Sequence, residues 1–206
     1  DALRSVLLPL SLVPLLIFGA KMVADSLEGA RWLWALPPVL LSAWLLVAFL
    51  PVIVPQLAQA GDDSVYPSLL RWQEAWARYL LYLPGSLLAA LGFASQRRVF
   101  LYIGMPNIAR YAAWAAIALA LNAIVAGIIV PKAPFPPAMW VNYETFRHVL
   151  DIPPQIFRAA AAVVVAFSVV QMLRFFDLAL RQRLMGEQQQ RLAAQQSAVD
   201  ALGHKE

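Results

Sequence analysis

The sequence predicts an all-α protein, a polytopic transmembrane helix bundle with about five spans. Two observations of composition and one of pattern predict this fold. Of the 206 residues, 61% are hydrophobic and only 14% are charged, whereas soluble domains average ~45–50% and about 25%. Apolar runs of about 20 residues, the length that crosses a hydrocarbon core, also recur along the chain. Disorder is excluded, because a chain this apolar buries enough surface to offset its ordering entropy.

The apolar runs define a membrane domain over residues 1–176. The candidate spans are 6–24, 32–54, 77–95, 111–130 and 156–176. Pro9 and Pro14 interrupt the first span, and prolines stand near both ends of the second. Kinks are expected at these prolines, where a neighbouring helix must satisfy the freed carbonyls. Residues 177–206 form a second region, a polar helical linker with coiled-coil character.

Basic residues predict the orientation of the bundle. The loop between the third and fourth spans carries Arg97, Arg98 and Arg110. This loop and the arginine-rich C-terminal tail share one side, which the positive-inside rule makes cytoplasmic. Loops 55–76 and 131–155 then face outward, and an odd number of spans places Asp1 outside. Because the chain begins with Asp and shows no signal peptide, we expect an internal segment that lacks at least one upstream span.

Small residues predict how the spans pack, since helices in lipid are stabilised where their backbones approach closely. The last three spans each carry such residues on one face: Gly85, Ala89 and Gly92; Ala116, Ala120, Ala123 and Gly127; Ala159, Ala162 and Ala166. We therefore predict that these three spans pack against one another. The alternative is an alanine-rich composition with no bearing on packing.

The sequence offers no catalytic constellation. It has no cysteine and none of the phosphate-loop, zinc-protease, EF-hand or GxSxG patterns. We predict no catalytic residue, no metal ligand, no resident cofactor and no nucleic-acid partner. A haem would have to use His148 with Met139, or His148 of two subunits, since His204 lies in the polar tail. The simpler interpretation of His148 is a solvent-facing residue.

The stretch before the third span, YPSLLRWQEAW, has apolar residues at helical spacing. It predicts an amphipathic helix that runs straight into that span. Trp72 and Trp76 are interpreted as anchors at the membrane boundary rather than as ligand clamps. The spans contain no acidic residue at depth, which argues against a pump or a coupled transporter.

The loop 131–157 is the most informative stretch outside the spans. Its prolines restrict the backbone and predict a stiff loop. A short helix is expected over Asn142–Leu150, at the membrane boundary. Arg158 then begins the fifth span, where its charge must snorkel, pair with Glu144 or Asp151, or face a polar pocket.

An aromatic rim above a cation suits an amphipathic or anionic ligand. The candidate ligand-binding residues are Phe135, Trp140, Asn142, Tyr143, Arg147 and Arg158. The alternative is an aromatic belt that only anchors the bundle, with a snorkelling arginine at Arg158.

The fifth span continues into the tail as a helix that is expected to be unbroken until near Gly186. Apolar residues at three- and four-residue spacing form a stripe that this polar helix cannot bury alone. The stripe is Leu173, Phe176, Leu180 and Leu184. Its simplest partner is the same helix of a second subunit, so we predict a homodimer. A tail lying on anionic headgroups is the alternative.

Three stretches of the chain resemble the N-terminal multi-span membrane region of bacterial sensor histidine kinases and diguanylate cyclases. They are ARYLLYLPGSLLAALGF, IIVPKAPFPPAMWVNYETF and DIPPQIFRAAAAVVVAFSVVQMLRFFDLALRQRL, within about residues 77–185. The resemblance implies a non-catalytic sensor module of the bacterial inner membrane. It also implies a cytoplasmic C-terminal helix of the signalling type, leading to a PAS, kinase or GGDEF domain beyond Glu206. Neither the output domain nor the small-molecule or lipid stimulus is specified.

A second function stays open at this point. An accessory or assembly subunit of a larger membrane complex would use the aromatic loops and small-residue faces to bind its neighbours. A small transporter is disfavoured by the empty span interiors and by the lack of an evident repeat.

Overall fold

The computed structural model describes residues 2–27, 29–50 and 66–203. Within them the chain is helical, and five helices are long and apolar enough to cross a membrane: Leu7–Ser26, Ala30–Ala48, Leu70–Tyr102, Pro106–Ile128 and Pro154–Asp177. They are called the first to fifth spans below, by length and composition. The predicted all-α fold with five helices of spanning length is confirmed.

Seven α-helices form the described part of the chain: α1 (Ala2–Ser26), α2 (Leu36–Trp44), α3 (Tyr66–Ala77), α4 (Leu83–Tyr102), α5 (Pro106–Asn122), α6 (Tyr143–Leu150) and α7 (Pro154–Gly203). A 3₁₀-helix, Ala30–Ala35, leads into α2. Three of the helices carry π-helical segments at their C-terminal ends: Leu45–Phe49 after α2, Arg78–Tyr82 after α3 and Ala123–Ile128 after α5. Pro9 and Pro14 lie inside α1 without ending it.

The third span is longer than the 77–95 expected from hydropathy. Because Arg78–Tyr82 joins α3 to α4, one helical path continues from Tyr66 to Tyr102. The predicted amphipathic helix running into this span is therefore confirmed. The boundary was misplaced because the helix extends beyond the apolar window at both ends.

The third span is the centre of the bundle. On one side it meets the first span at its glycines, where a Cβ added to Gly19 would lie 2.7 Å from the backbone nitrogen of Ala89. A Cβ added to Gly92 would lie 2.6 Å from the Cβ of Met22. Close helix approach explains these glycines. The glycine face of the third span thus packs on the first span, a partner that the sequence reasoning did not assign.

The fourth span packs on the other side of the third, and the fifth packs on the fourth. Their shared core comprises Ala89, Ala90, Phe93, Ile108, Ala112, Ala115, Leu119 and Met172. The third–fourth and fourth–fifth contacts are as predicted. Ala159, Ala162 and Ala166 are exposed, however, so the prediction that this stripe packs on the other two spans is wrong. Val165, Val169 and Met172 face the core instead, on the side of the helix that meets the fourth span.

Candidate functional site

The loop 129–142 folds back onto the end of the third span, and this end of the bundle is called the loop end. Phe135 is its central contact. The Phe135 ring stacks on Trp76 with centroids 5.1 Å apart and planes 8° apart, and it meets Trp72 edge-on at 4.7 Å. Tyr79 closes a third side at 6.2 Å. Trp72 and Trp76 therefore hold a residue of the chain's own loop, in geometries that aromatic pairs prefer.

Asn142 fixes the loop relative to α6. Its side-chain oxygen accepts hydrogen bonds from the backbone N–H groups of Glu144 and Thr145, each at 3.0 Å. Its amide nitrogen donates to the backbone oxygens of Ala138 and Met139. This is the N-cap of α6, a role that Asn fills well because its oxygen satisfies N–H groups without helical partners. The helix predicted over Asn142–Leu150 is confirmed as Tyr143–Leu150 with Asn142 as its cap.

Arg78 is the buried charge of the loop end, with 7% of its surface exposed. Its Nη2 donates to Glu74 Oε1 at 2.6 Å, and its Nη1 donates to the backbone oxygen of Ala126 at 3.1 Å. Ala126 belongs to the π-helical end of the fourth span, where carbonyls lack helical partners. A cation at a helix C-terminus also interacts favourably with the helix dipole.

This environment explains how a guanidinium is tolerated there. Desolvating a buried ion costs several kcal/mol, whereas each hydrogen bond to a charged group returns ~1.5–3 kcal/mol. Glu74 and the Ala126 carbonyl together offset the cost, and the Tyr143 ring lies 5.7 Å from the Arg78 Cζ. Nevertheless, the Arg78 Nε is buried without a hydrogen-bond partner.

Arg158 reaches the same place from α7. It is partly buried, and its charge acts on both Tyr82 and Tyr143. Glu144, one of its expected partners, lies 3.4 Å from Lys132 Nζ instead. Arg78 acts on the same two phenols. We call Arg78, Arg158, Tyr82 and Tyr143 the two-arginine cluster.

The Tyr143 phenol of the cluster is a neutral hydrogen-bonding group at physiological pH. Burial raises the pKa of Tyr143 above its usual value of 10.0, and the neighbouring charges of Arg78 and Arg158 oppose this only in part. Tyr82 accepts a hydrogen bond from the Asn122 amide nitrogen in the fourth span. Asn122 thus bonds between helices.

The predicted ligand-binding residues are only partly brought together. Tyr143 and Arg158 lie in the two-arginine cluster. Asn142 caps α6, and Phe135 packs the loop against the third span. Trp140 is 62% exposed and lines a shallow apolar groove with α6, while Arg147 is exposed. The predicted aromatic rim is thus divided between the aromatic cage around Phe135 and this groove.

Arg78, Glu74, Tyr82 and Asn122 were not singled out as site residues from the sequence. Glu74 lies in the predicted amphipathic helix that runs into the third span, and it is partly buried. A usable signal was present, because Glu74 and Arg78 stand four residues apart on one helix face, the spacing of an ion pair.

A groove of about 270 Å³ lies at the opposite end of the bundle, between the first, third and fifth spans. It is lined by Phe18, Met22, Phe93, Gln96, Phe100, Val169, Met172, Leu173 and Phe176. Of the predicted dimer stripe, Leu173 is 61% exposed. Phe176 uses part of its ring within the chain, edge-on to Phe100 at 5.9 Å. The side chains of Leu180 and Leu184 lie outside the described residues.

His148 is exposed on α6. Across residues 2–27, 29–50 and 66–203, no group of three or more His, Cys, Asp or Glu side chains could hold a metal ion. Searches against protein-family models, curated proteins and solved structures find no match to this chain.

Proposed function

We propose that this chain is a non-catalytic input module of a bacterial inner-membrane signalling protein. It binds a stimulus at the loop end, which faces outward, and its last helix passes the state of that site to a cytoplasmic output domain. The observation that supports this most is the continuity of α7. Arg158 stands near the start of this 50-residue helix, next to Tyr143, and the helix continues to Gly203. From Asp177 onward it spans about 40 Å.

The mechanism is a shift between two packings of α7. The helix contacts the fourth span along one side only, so a small rotation or translation exchanges few contacts. A stimulus biases such an equilibrium only by binding the two states unequally. Arg158 supplies that difference, since any movement of α7 changes its distance from Arg78, Tyr82 and Tyr143.

A homodimer through α7 completes the proposal. At 100° per residue, the exposed Ala159, Ala162 and Ala166 share a face with Leu173, and the same face continues to Leu180 and Leu184. Small residues allow close approach within the membrane, and leucines at this spacing suit a coiled coil beyond it. Two copies of one continuous stripe would therefore pack along both regions.

The proposal is tested by the helical phase of the linker. Residues 1–206 are fused to a cytoplasmic kinase domain, and either Glu187–Gln190 or Glu187–Ala193 is deleted. Removing four residues breaks the seven-residue register and should lock or invert kinase activity, whereas removing seven restores the register and should preserve it. Equal kinase activity in both deletions would contradict a relay through this helix.

The second candidate function is an accessory subunit of a membrane complex. The exposed stripe of Ala159, Ala162 and Ala166 favours it, since a different subunit could pack there as well as a second copy. Purification from native membranes distinguishes the two. A stoichiometric partner of different sequence supports the accessory subunit, and a homodimer supports the input module.

A further inference from the structure

Among the described residues, the two-arginine cluster carries more positive charge than the neighbouring carboxylates neutralise. Arg78 is paired with Glu74 at 2.6 Å, and the nearby Lys132–Glu144 pair at the exposed rim is itself neutral. Among the described residues, no carboxylate forms an ion pair with Arg158. Within the described part of the chain, one positive charge therefore remains, partly buried, beside two phenols.

The cluster also has hydrogen-bonding capacity left over. Arg78 is more than nine-tenths buried. Its Nε is also buried, and the N–H group of this nitrogen has no hydrogen-bond acceptor. Leaving a buried donor of a charged group unpaired costs free energy. An anionic acceptor between the two guanidiniums would remove this cost and neutralise the remaining charge.

We propose that the two-arginine cluster binds the carboxylate of a ligand, an inference that rests on the loop end being the sensing site of the proposed function. A carboxylate carries the single negative charge that the cluster lacks, and its two oxygens match the planar fork of an arginine. Tyr143 supplies a further hydroxyl donor.

The limited exposure of the two arginines favours a carboxylate over a phosphodiester. Arg78 is 7% exposed and Arg158 is partly buried, so a ligand would approach the cluster from the more exposed side, that of Arg158. A carboxylate ends a chain and needs one exit path, whereas a phosphodiester carries two ester groups and needs two. The ligand is therefore a carboxylic acid, either a free short-chain acid from the outer solution or a fatty acid from the bilayer.

Binding is measured by thermal unfolding of the purified chain in neutral detergent, with acetate, decanoate, decanamide and dimethyl phosphate as probes at matched ionic strength. A carboxylate should raise the unfolding temperature, and decanamide and dimethyl phosphate should not. Stabilisation by acetate identifies a free acid as the source, and stabilisation by decanoate alone identifies a membrane acid. Both outcomes support the proposal.

Variants locate the binding. Arg158→Gln should weaken carboxylate binding roughly tenfold or more, because a charge-assisted hydrogen bond is lost. Arg158→Lys keeps the charge without the fork and should bind with intermediate affinity, which also covers a failure of Arg158→Gln to fold. Arg71→Gln, at an exposed arginine of α3, is the matched control and should bind normally.

The proposal is overturned if neither acid raises the unfolding temperature, if decanamide or dimethyl phosphate acts equally, or if the Arg158 variants bind as the unaltered chain does. Its failure is separate from that of the proposed function. If carboxylates bind but the four- and seven-residue deletions give the kinase fusion equal activity, only the relay is refuted. If the two deletions differ but no carboxylate binds, only the ligand is refuted.

Discussion

At the residue scale, three glycines determine how closely the first and third spans approach. Gly19, Gly85 and Gly92 each face atoms of the opposite helix that leave little or no room for a Cβ. At Gly19 the nearest atoms are the Ala89 nitrogen at 2.7 Å and the Gly85 oxygen at 2.8 Å, both backbone. A side chain at position 19 would therefore require the helix backbone to shift, since a change of side-chain rotamer cannot remove these contacts.

Gly19→Val should therefore destabilise the bundle by ~1–3 kcal/mol, the usual cost of overpacking a closely packed interface. The free energy of unfolding in mixed micelles measures this. Ala94→Val is the matched control, since Ala94 is exposed on the third span and has room for the larger side chain. Equal stability of the two variants would show that the first span does not depend on close approach.

Arg78 has a structural role distinct from that of Arg158. Arg78→Met removes the cap of the fourth span and leaves Glu74 buried in part without its cation, so a loss of ~3–5 kcal/mol is expected. Arg71→Met, seven residues earlier on the same helix, should change the free energy of unfolding by less than ~0.5 kcal/mol. In the double variant Glu74→Leu/Arg78→Met part of the loss should be recovered, because no uncompensated charge remains. A double variant less stable than Arg78→Met would contradict this account.

The sequence could indicate Arg158 but not its partners. Because Arg158 stands near the start of an apolar span, the sequence indicates that burying its charge costs free energy. The side chain of Asn142 is of the type that caps helix N-termini. Whether Glu144 or a phenol meets Arg158 depends on the angle at which α6 crosses α7, which is set by the loop packing around Phe135. No local pattern encodes that angle.

At the scale of the secondary-structure elements, the length of an apolar run predicts where a helix forms. It does not predict which face of that helix packs against the core. An apolar window of about 20 residues predicts a spanning helix regardless of its neighbours. Alanine-rich faces are ambiguous, since Ala112 and Ala115 are buried while Ala159 and Ala162 are exposed. Which face turns inward depends on the larger side chains opposite, and these are set by the whole bundle.

The sequence predicts an unbroken last helix only until near Gly186. In the structure, α7 continues past Gly186 to Gly203. A glycine inside a helix costs only ~1 kcal/mol relative to alanine. The many helix-favouring Gln, Ala, Leu and Arg residues around it outweigh that cost. A locally weakened but continuous helix is compatible with a relay that has two packings of similar free energy.

At the scale of the whole molecule, the proposed orientation places the loop end outside the cytoplasm. Since the chain has no cysteine, single cysteines report this directly. Asn107 and Lys132 are exposed at the two ends of the bundle and suit this labelling. An impermeant maleimide added to whole cells should label Lys132→Cys and spare Asn107→Cys, which should react only after lysis. The reverse pattern would place the candidate site inside the cell.

In the proposed relay, the state of the two-arginine cluster is coupled to the packing of α7 between subunits. The most direct test is the rate of disulfide formation at Leu180→Cys in membranes, with Arg183→Cys as the off-stripe control. The account predicts faster crosslinking at Leu180, and a rate that Arg158→Ala changes by about twofold or more, the effect of a ~0.4 kcal/mol shift between two states. Arg71→Ala should leave the rate unchanged. Equal rates at Leu180 and Arg183, or a Leu180 rate indifferent to Arg158→Ala, would contradict it.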